Sequence, residues 1–118
     1  MNRPERDLQV SYFIWVRETN KNSPKHQLIH ATGNGNYKNI IIAKRAKEEG
    51  MLKGVWDVFV PYPAHGKGGL WIEFKSPKGR LTKEQKWFQK SLEEYYGWAI
   101  VDNLVDAIII TRDWLEAE

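Results

Sequence analysis

Two short strand-like runs on either side of a turn-rich segment constrain the fold of this chain more than any other feature. Residues 55–60 (VWDVFV) and 70–75 (LWIEFK) are rich in β-branched and aromatic side chains, a composition that favours strands. The intervening PYPAHGKGG contains the prolines and glycines that end strands and form turns. We therefore expect an antiparallel hairpin centred near His65.

This hairpin would bring acidic side chains together. Side chains alternate between the two faces of a strand, so Trp71, Glu73 and Lys75 share one face. A register symmetric about His65 places Asp57 opposite Glu73, with Cβ atoms about 4.5–5.5 Å apart. Two carboxylates at this separation repel each other unless a cation lies between them or one of them takes up a proton.

A divalent cation is one way to relieve this repulsion. The chain has no cysteine and only three histidines, which argues against zinc. Oxygen ligands favour Mg²⁺, with Mn²⁺ as the alternative. Such a cation polarises a phosphoryl oxygen and activates water, and Lys75 can stabilise developing charge, which suits phosphodiester hydrolysis. Because an acid and a lysine two residues apart are common by chance, spacing alone leaves a solvated surface strand pair equally open.

The rest of the chain predicts helices around a small mixed sheet. Pro4 favours a first helical turn, Gly50 follows a second helical segment, and Thr82 with Gln85 forms a capping box. Pro24 and the glycines after it argue against a helix that would bring His26 and His30 together on a metal. Helices are predicted at residues 39–49, 82–96 and 104–115, and strands at 27–31, 55–60, 70–75 and 98–101. Residues 4–17 suit a helix, although the aromatic and β-branched side chains of residues 10–16 would also allow a strand. We expect a single α/β domain spanning residues 1–118.

Positive charge is concentrated beside the hairpin. The whole chain carries a net charge of only +3, which by itself does not distinguish a nucleic-acid-binding protein from an ordinary one. Phosphate contacts are the functional interpretation of the cations that follow Lys75, and a solvated face is the alternative. These cations are Lys78, Arg80, Lys83 and Lys86. Most of the tryptophans are expected to fill the core.

Three motifs in fixed order make the nuclease hypothesis more specific. GVWD (residues 54–57), GLWIEFK (69–75) and LTKEQ (81–85) resemble the virus-type replication-repair nuclease (VRR-Nuc) domain of the PD-(D/E)xK nuclease superfamily. The likeness extends back through HATGNG (30–35) and AKRAKEEG (43–50). It implies a restriction-endonuclease-like core and an Mg²⁺-dependent, structure-specific DNA endonuclease that cuts branched or four-way junction DNA.

The resemblance also implies roles for individual residues. Asp57 and Glu73 would be metal ligands, Lys75 the catalytic lysine, and Glu5 the acidic ligand from the first helix. Gln85 matches a glutamine that family members carry near the start of the following helix. Its side chain could instead fold back as a helix cap, and both interpretations stay open. Two weaker features are Gln9, one turn beyond Glu5, and Trp56, which stands where the family usually has proline.

Further expectations concern the surroundings of the site. Asn34, in a glycine-rich turn, is expected to line the substrate cleft. Because a four-way junction needs two cuts on opposing strands, we expect a homodimer. No apolar run is long enough for a bilayer, and the start MNRPERDLQ is too polar for a signal peptide. This predicts no membrane association and a cytoplasmic protein of a bacterium or a phage-infected host.

Two other classes of function remain as alternatives. One is a non-catalytic DNA-binding protein that retains the nuclease fold, although the intact set of Asp57, Glu73 and Lys75 argues against it. The other is a glycosidase with paired carboxylates, which would work without a metal. A lysine beside Glu73 fits that chemistry poorly.

Overall fold

A mixed sheet flanked by helices forms the centre of the protein. The computed structural model describes residues 1–33 and 39–117. Its strands are β1 (His30–Ala31), β2 (Val58–Val60), β3 (Leu70–Phe74) and β4 (Gly97–Val101), and they lie in this order across the sheet. β2 pairs antiparallel with both β1 and β3, whereas β4 pairs parallel with β3. The predicted α/β class and the antiparallel hairpin are confirmed.

The helices begin where short polar side chains can cap them. Asn2, Asn39, Thr82 and Asn103 each accept a hydrogen bond from the backbone N–H three residues later, which satisfies one unpaired donor of the first turn. The helices are α1 (Arg3–Ile14), α2 (Pro24–Gln27), α3 (Ile40–Glu48), α4 (Lys83–Ser91) and α5 (Leu104–Glu116). A π-helical segment, Trp15–Thr19, continues α1, so the helix predicted over residues 4–17 is confirmed.

The strand predicted over residues 27–31 is wrong for its first half. Pro24 stands in the first turn of α2, a position that suits proline because the missing N–H would be unpaired there anyway. The side chain of Arg17 donates to the carbonyl oxygens of His26 and Ile29 and holds the segment after α2 in place. Only the two residues of β1 then reach the sheet.

Helix α4 ends at Ser91, five residues before the predicted end. The segment after α4 is held by the loop of the hairpin. The Nζ atom of Lys67 donates to the carbonyl oxygen of Glu94, and the backbone N–H of Gly68 donates to that of Tyr95, both at 2.8 Å. The chain is thereby turned into β4, and Gly97 begins this strand instead of ending the helix.

The two faces of the sheet carry different apolar layers. Towards α1 and α5, aliphatic side chains of the strands pack with Tyr12, whose hydroxyl lies 2.8 Å from the Thr111 Oγ1 and joins the two helices. On the opposite face, α4 covers a cluster of aromatic rings. Its members are Trp56, Phe59, Trp71, Phe88, Tyr96 and Trp98. Trp87 is the exception to the expectation that tryptophans fill the core, because it is exposed.

Within residues 1–33 and 39–117, no helix is both long enough and apolar enough to cross a bilayer.

A buried glycine fixes the distance between the segment before β2 and the first turn of α4. Gly54 has a φ of +101°, and a Cβ atom there would lie 2.5 Å from the carbonyl oxygen of Glu84. Gly50 has a similar φ of +97° but nothing within 4 Å of such an atom. Both positions need the left-handed backbone that glycine adopts without steric cost, but only Gly54 needs the missing side chain for packing.

Substitutions at these two glycines distinguish the effect of backbone strain on stability from the effect of packing. Gly50→Ala should cost about 1–2 kcal/mol of unfolding free energy, the cost of left-handed backbone. Gly54→Ala should cost a further 1–3 kcal/mol, roughly the penalty of overpacking, because backbone atoms of α4 must move. Urea unfolding of both variants measures the difference. Equal losses would show that α4 does not depend on this close approach.

Candidate active site

Two buried carboxylates lie side by side where the pairing of β2 with β3 ends. The register pairs Val58 with Ile72, which places Asp57 opposite Glu73 and confirms the predicted register. The backbone N–H of Asp57 donates to the Glu73 Oε1 at 3.1 Å, and the backbone N–H of Phe74 donates to the Asp57 Oδ2 at 2.9 Å. Each carboxylate is therefore held by the backbone of the opposite strand.

Burial makes ionisation of this carboxylate pair costly. Desolvation is the main reason that the pKa of Asp57 is raised above its ordinary value, and the negative charge of Glu5 adds to the rise. Desolvation also raises the pKa of Glu73, followed by repulsion from Asp57. The positive charge of Lys75 opposes both shifts. The pair therefore has a high affinity for a proton or another cation.

Lys75 is the cation that contacts the pair. Its Nζ atom lies 3.4 Å from the Glu73 Oε2, and its side chain is only 13% exposed. Glu73 and Lys75 point to the same face of β3, as the strand period predicts. An ammonium group fixed at this edge can hold a water molecule or stabilise negative charge on a bound phosphate.

Gln85 contacts Glu73 and caps its own helix at the same time. Its Nε2 donates to the Glu73 Oε2 at 2.7 Å, while its Oε1 accepts from the backbone N–H of Thr82 at 2.9 Å. The hydroxyl of Thr82 completes the capping box by accepting from the N–H of Gln85 at 3.1 Å. The two interpretations left open by the sequence are therefore compatible, since one amide group makes both contacts.

Trp56 joins the strand that carries Asp57 to the same turn of α4. Its ring is fully buried, and its Nε1 donates to the carbonyl oxygen of Gln85 at 3.1 Å. A salt bridge of 3.6 Å between Lys53 and Glu84 lies nearby. The sequence contains no pattern that would have predicted the Trp56 contact, because it depends on how α4 packs on the sheet.

Glu5 approaches the pair from the first turn of α1. It is buried, and its Oε2 accepts from the Nδ2 of Asn2 at 2.5 Å and from the backbone N–H of Ser76 at 3.4 Å. Ser76 directly follows Lys75, so Glu5 lies beside the end of β3. The role of Asn2 was missed in the sequence, although an asparagine three residues before a glutamate is a helix-start signature.

The donor chemistry of the pair fits a magnesium ion. Magnesium is commonly bound through one or two carboxylates, with water and substrate phosphate completing its coordination. Asp57 and Glu73 offer this minimal set, and Glu5 adds negative charge from α1. Within residues 1–33 and 39–117, no three His, Asp or Glu side chains form a ready-made metal cage. The pair therefore suits a cation that shares its coordination with a substrate.

The predicted phosphate-binding residues lie in the segment of the chain that follows Lys75. Lys78 and Arg80 lie exposed in the loop between β3 and α4, and Lys83 and Lys86 lie exposed on α4. Asn34 lies outside the described residues. Gln9 is half-buried, and its Oε1 has no hydrogen-bond partner within the described ranges.

The raised carboxyl pKa values predict how stability depends on pH. A carboxyl group whose pKa is higher in the folded than in the unfolded protein favours folding below its unfolded pKa, near 4, and this contribution is lost as pH rises through the folded pKa. Without divalent cations, the unfolding free energy should therefore fall between about pH 5 and pH 9, and it should fall less steeply in Glu73→Gln. Urea titrations at several pH values test this. If the unfolding free energy depends on pH identically in both proteins, ionisation of Glu73 does not destabilise the fold.

The fold resembles that of a solved protein structure. Neither a protein-family model nor a curated protein matches the sequence. A solved structure named "VRR_NUC domain protein" superimposes with a TM-score of 0.74 over 95% of this chain and 88% of that protein, at 21% sequence identity. The chain therefore has the fold of a VRR-Nuc domain.

Proposed function

We propose that this chain is an Mg²⁺-dependent deoxyribonuclease, with Mn²⁺ as a possible substitute. The observation that carries the proposal is the buried pair of Asp57 and Glu73, with the Nζ of Lys75 at 3.4 Å from Glu73. A structural role alone does not explain two neighbouring carboxylates in a position where ionisation is costly. The likeness in fold to a VRR_NUC domain protein supports the same reaction class.

Each residue of the site would have a separate role in phosphodiester hydrolysis. Asp57 and Glu73 would hold the cation, with Glu5 as a third acidic contribution from α1. When bound, the cation would polarise a phosphoryl oxygen and make water a better nucleophile. Lys75 would position water or stabilise charge at the phosphate. Gln85 would keep the Glu73 carboxylate in one orientation through its 2.7 Å hydrogen bond.

Removing either carboxylate should abolish cleavage but leave DNA binding intact. Asp57→Asn and Glu73→Gln preserve the shape and a hydrogen-bond acceptor while removing one negative charge. We expect each variant to lose at least about 100-fold in cleavage rate, since a metal ligand matters more than the groups that orient it. DNA binding, measured in chelator, should stay the same or tighten slightly. A variant that cleaves at the wild-type rate would refute the assignment of the metal site.

Lys75→Met provides the matched comparison, because it removes a cation from the site. It should abolish turnover while leaving Mn²⁺ binding, followed by calorimetry, largely in place. If wild-type protein binds DNA tightly but does not cleave any substrate with Mg²⁺ or Mn²⁺, the chain is instead a non-catalytic DNA-binding protein.

The finer part of the proposal is a cytoplasmic, structure-specific endonuclease that acts on branched or four-way junction DNA as a homodimer. Lys78, Arg80, Lys83 and Lys86 would supply its phosphate contacts. One chain carries one carboxylate pair, so two opposing cuts require two copies. Exposed apolar side chains on α3 (Ile40, Ile41 and Ile42) and on α5 (Val105 and Ile109) offer two separate surfaces for a second copy.

Light scattering at micromolar concentration should give twice the mass of one chain. Charged substitutions then test the two surfaces separately, because Ile109→Glu and Ile41→Glu introduce the same change on different helices. The variant on the interface should become a monomer and nick one strand of a labelled four-way junction instead of cutting two. A wild-type monomer would exclude the dimer and leave the nuclease proposal unaffected.

A further inference from the structure

The net positive charge of this protein comes from one segment. Six of its 18 lysines and arginines lie between residues 75 and 90, with Glu84 as the only acid among them. Glu84 is paired with Lys53 at 3.6 Å, so it does little to neutralise the segment. Because the whole chain carries only +3, the remaining residues are net negative. This segment would therefore attract an anionic polymer.

An exposed tryptophan lies among these cations. On α4, Lys83, Lys86, Trp87 and Lys90 are all exposed, and their spacing places them on one face of the helix. The opposite face carries the buried Phe88 and Gln85, which contacts Glu73. The side chain of Trp87 is 54% exposed and has no ring partner among the residues that the structure describes.

We propose that this face of α4 binds unpaired DNA, with a base stacked on Trp87 and phosphates held by Lys83, Lys86 and Lys90. The inference rests on the proposed nuclease function and narrows its branched substrates to those with a single-stranded portion beside the cut, which a fully paired four-way junction lacks. Every base has an aromatic face, so stacking on an indole requires no particular sequence. In a duplex both faces of each base are covered by neighbouring pairs, which leaves only unpaired bases accessible.

The surroundings of Trp87 favour DNA over a protein partner. Lysine is depleted from the cores of protein interfaces, because its charge must be desolvated there. Three lysines around one indole match a surface that follows a phosphate backbone instead. Since a helix is about 10–12 Å across, Trp87 lies roughly one helix diameter from the face that contacts Glu73. A strand passing the carboxylates could reach it within a few nucleotides.

The test uses Glu73→Gln as a parent that cannot cleave, in chelator, with a labelled thymidine oligonucleotide of about 15 nucleotides. Adding Trp87→Ala should weaken binding by about 5- to 100-fold, whereas Trp87→Phe should recover most of the affinity. The loss should be smaller on a blunt duplex of equal length. Replacing Lys83, Lys86 or Lys90 with alanine should lower the salt slope of single-strand binding by roughly 0.7 each.

Tyr95→Ala is the matched control. Tyr95 is 63% exposed but follows Glu93 and Glu94 instead of lysines, so its removal should not affect binding. The proposal is overturned if Trp87→Ala binds the oligonucleotide as tightly as the parent, or if Tyr95→Ala loses as much. It is also overturned if Trp87→Ala changes the oligomeric mass, because Trp87 would then be a protein contact. Cleavage by the wild-type chain with Mg²⁺ is scored separately, so the two proposals can fail independently.

Discussion

The buried pair of Asp57 and Glu73 is the interaction on which the arrangement around the site depends. Each carboxylate accepts a hydrogen bond from the backbone of the other segment, so the pair extends the contact with β3 to the residue before β2. A hydrophobic pair would close the sheet at lower cost, because burial raises the pKa of both carboxyl groups. The protein therefore keeps two carboxylates whose mutual repulsion a bound cation can relieve.

Helix α4 is positioned by this pair as well as by its apolar face. Phe88 packs among the aromatic rings on the sheet, while Gln85 reaches Glu73 and Trp56 holds the Gln85 carbonyl. The capping box fixes the Gln85 amide, because its oxygen is already engaged by the Thr82 N–H. Only the nitrogen remains to face Glu73, so the local rule for starting a helix also sets the hydrogen-bond polarity at the site.

The sequence predicted the features that follow from local periodicity, and it failed where tertiary contacts decide. The hairpin register and the facing carboxylates followed from the two-residue period of the strands and the turn between them. The end of α4 was predicted incorrectly, because carbonyls of residues 94 and 95 bond to the hairpin loop. The contact of Trp56 with Gln85 was also beyond prediction, since it joins residues 29 positions apart.

In the proposed nuclease, the residues that would attract DNA are distinct from those that would cleave it. Without a cation, the carboxylate pair repels a phosphate, while the cations of the β3–α4 loop and α4 attract it. These opposite fields come from adjacent parts of the chain, since Lys75 is both the first cation of the segment and the ion-pair partner of Glu73. In the proposed nuclease, association with DNA would therefore need no metal, and only the approach of a phosphate to the carboxylates would depend on one. Such a division would let the proposed nuclease bind DNA before a metal completes the site.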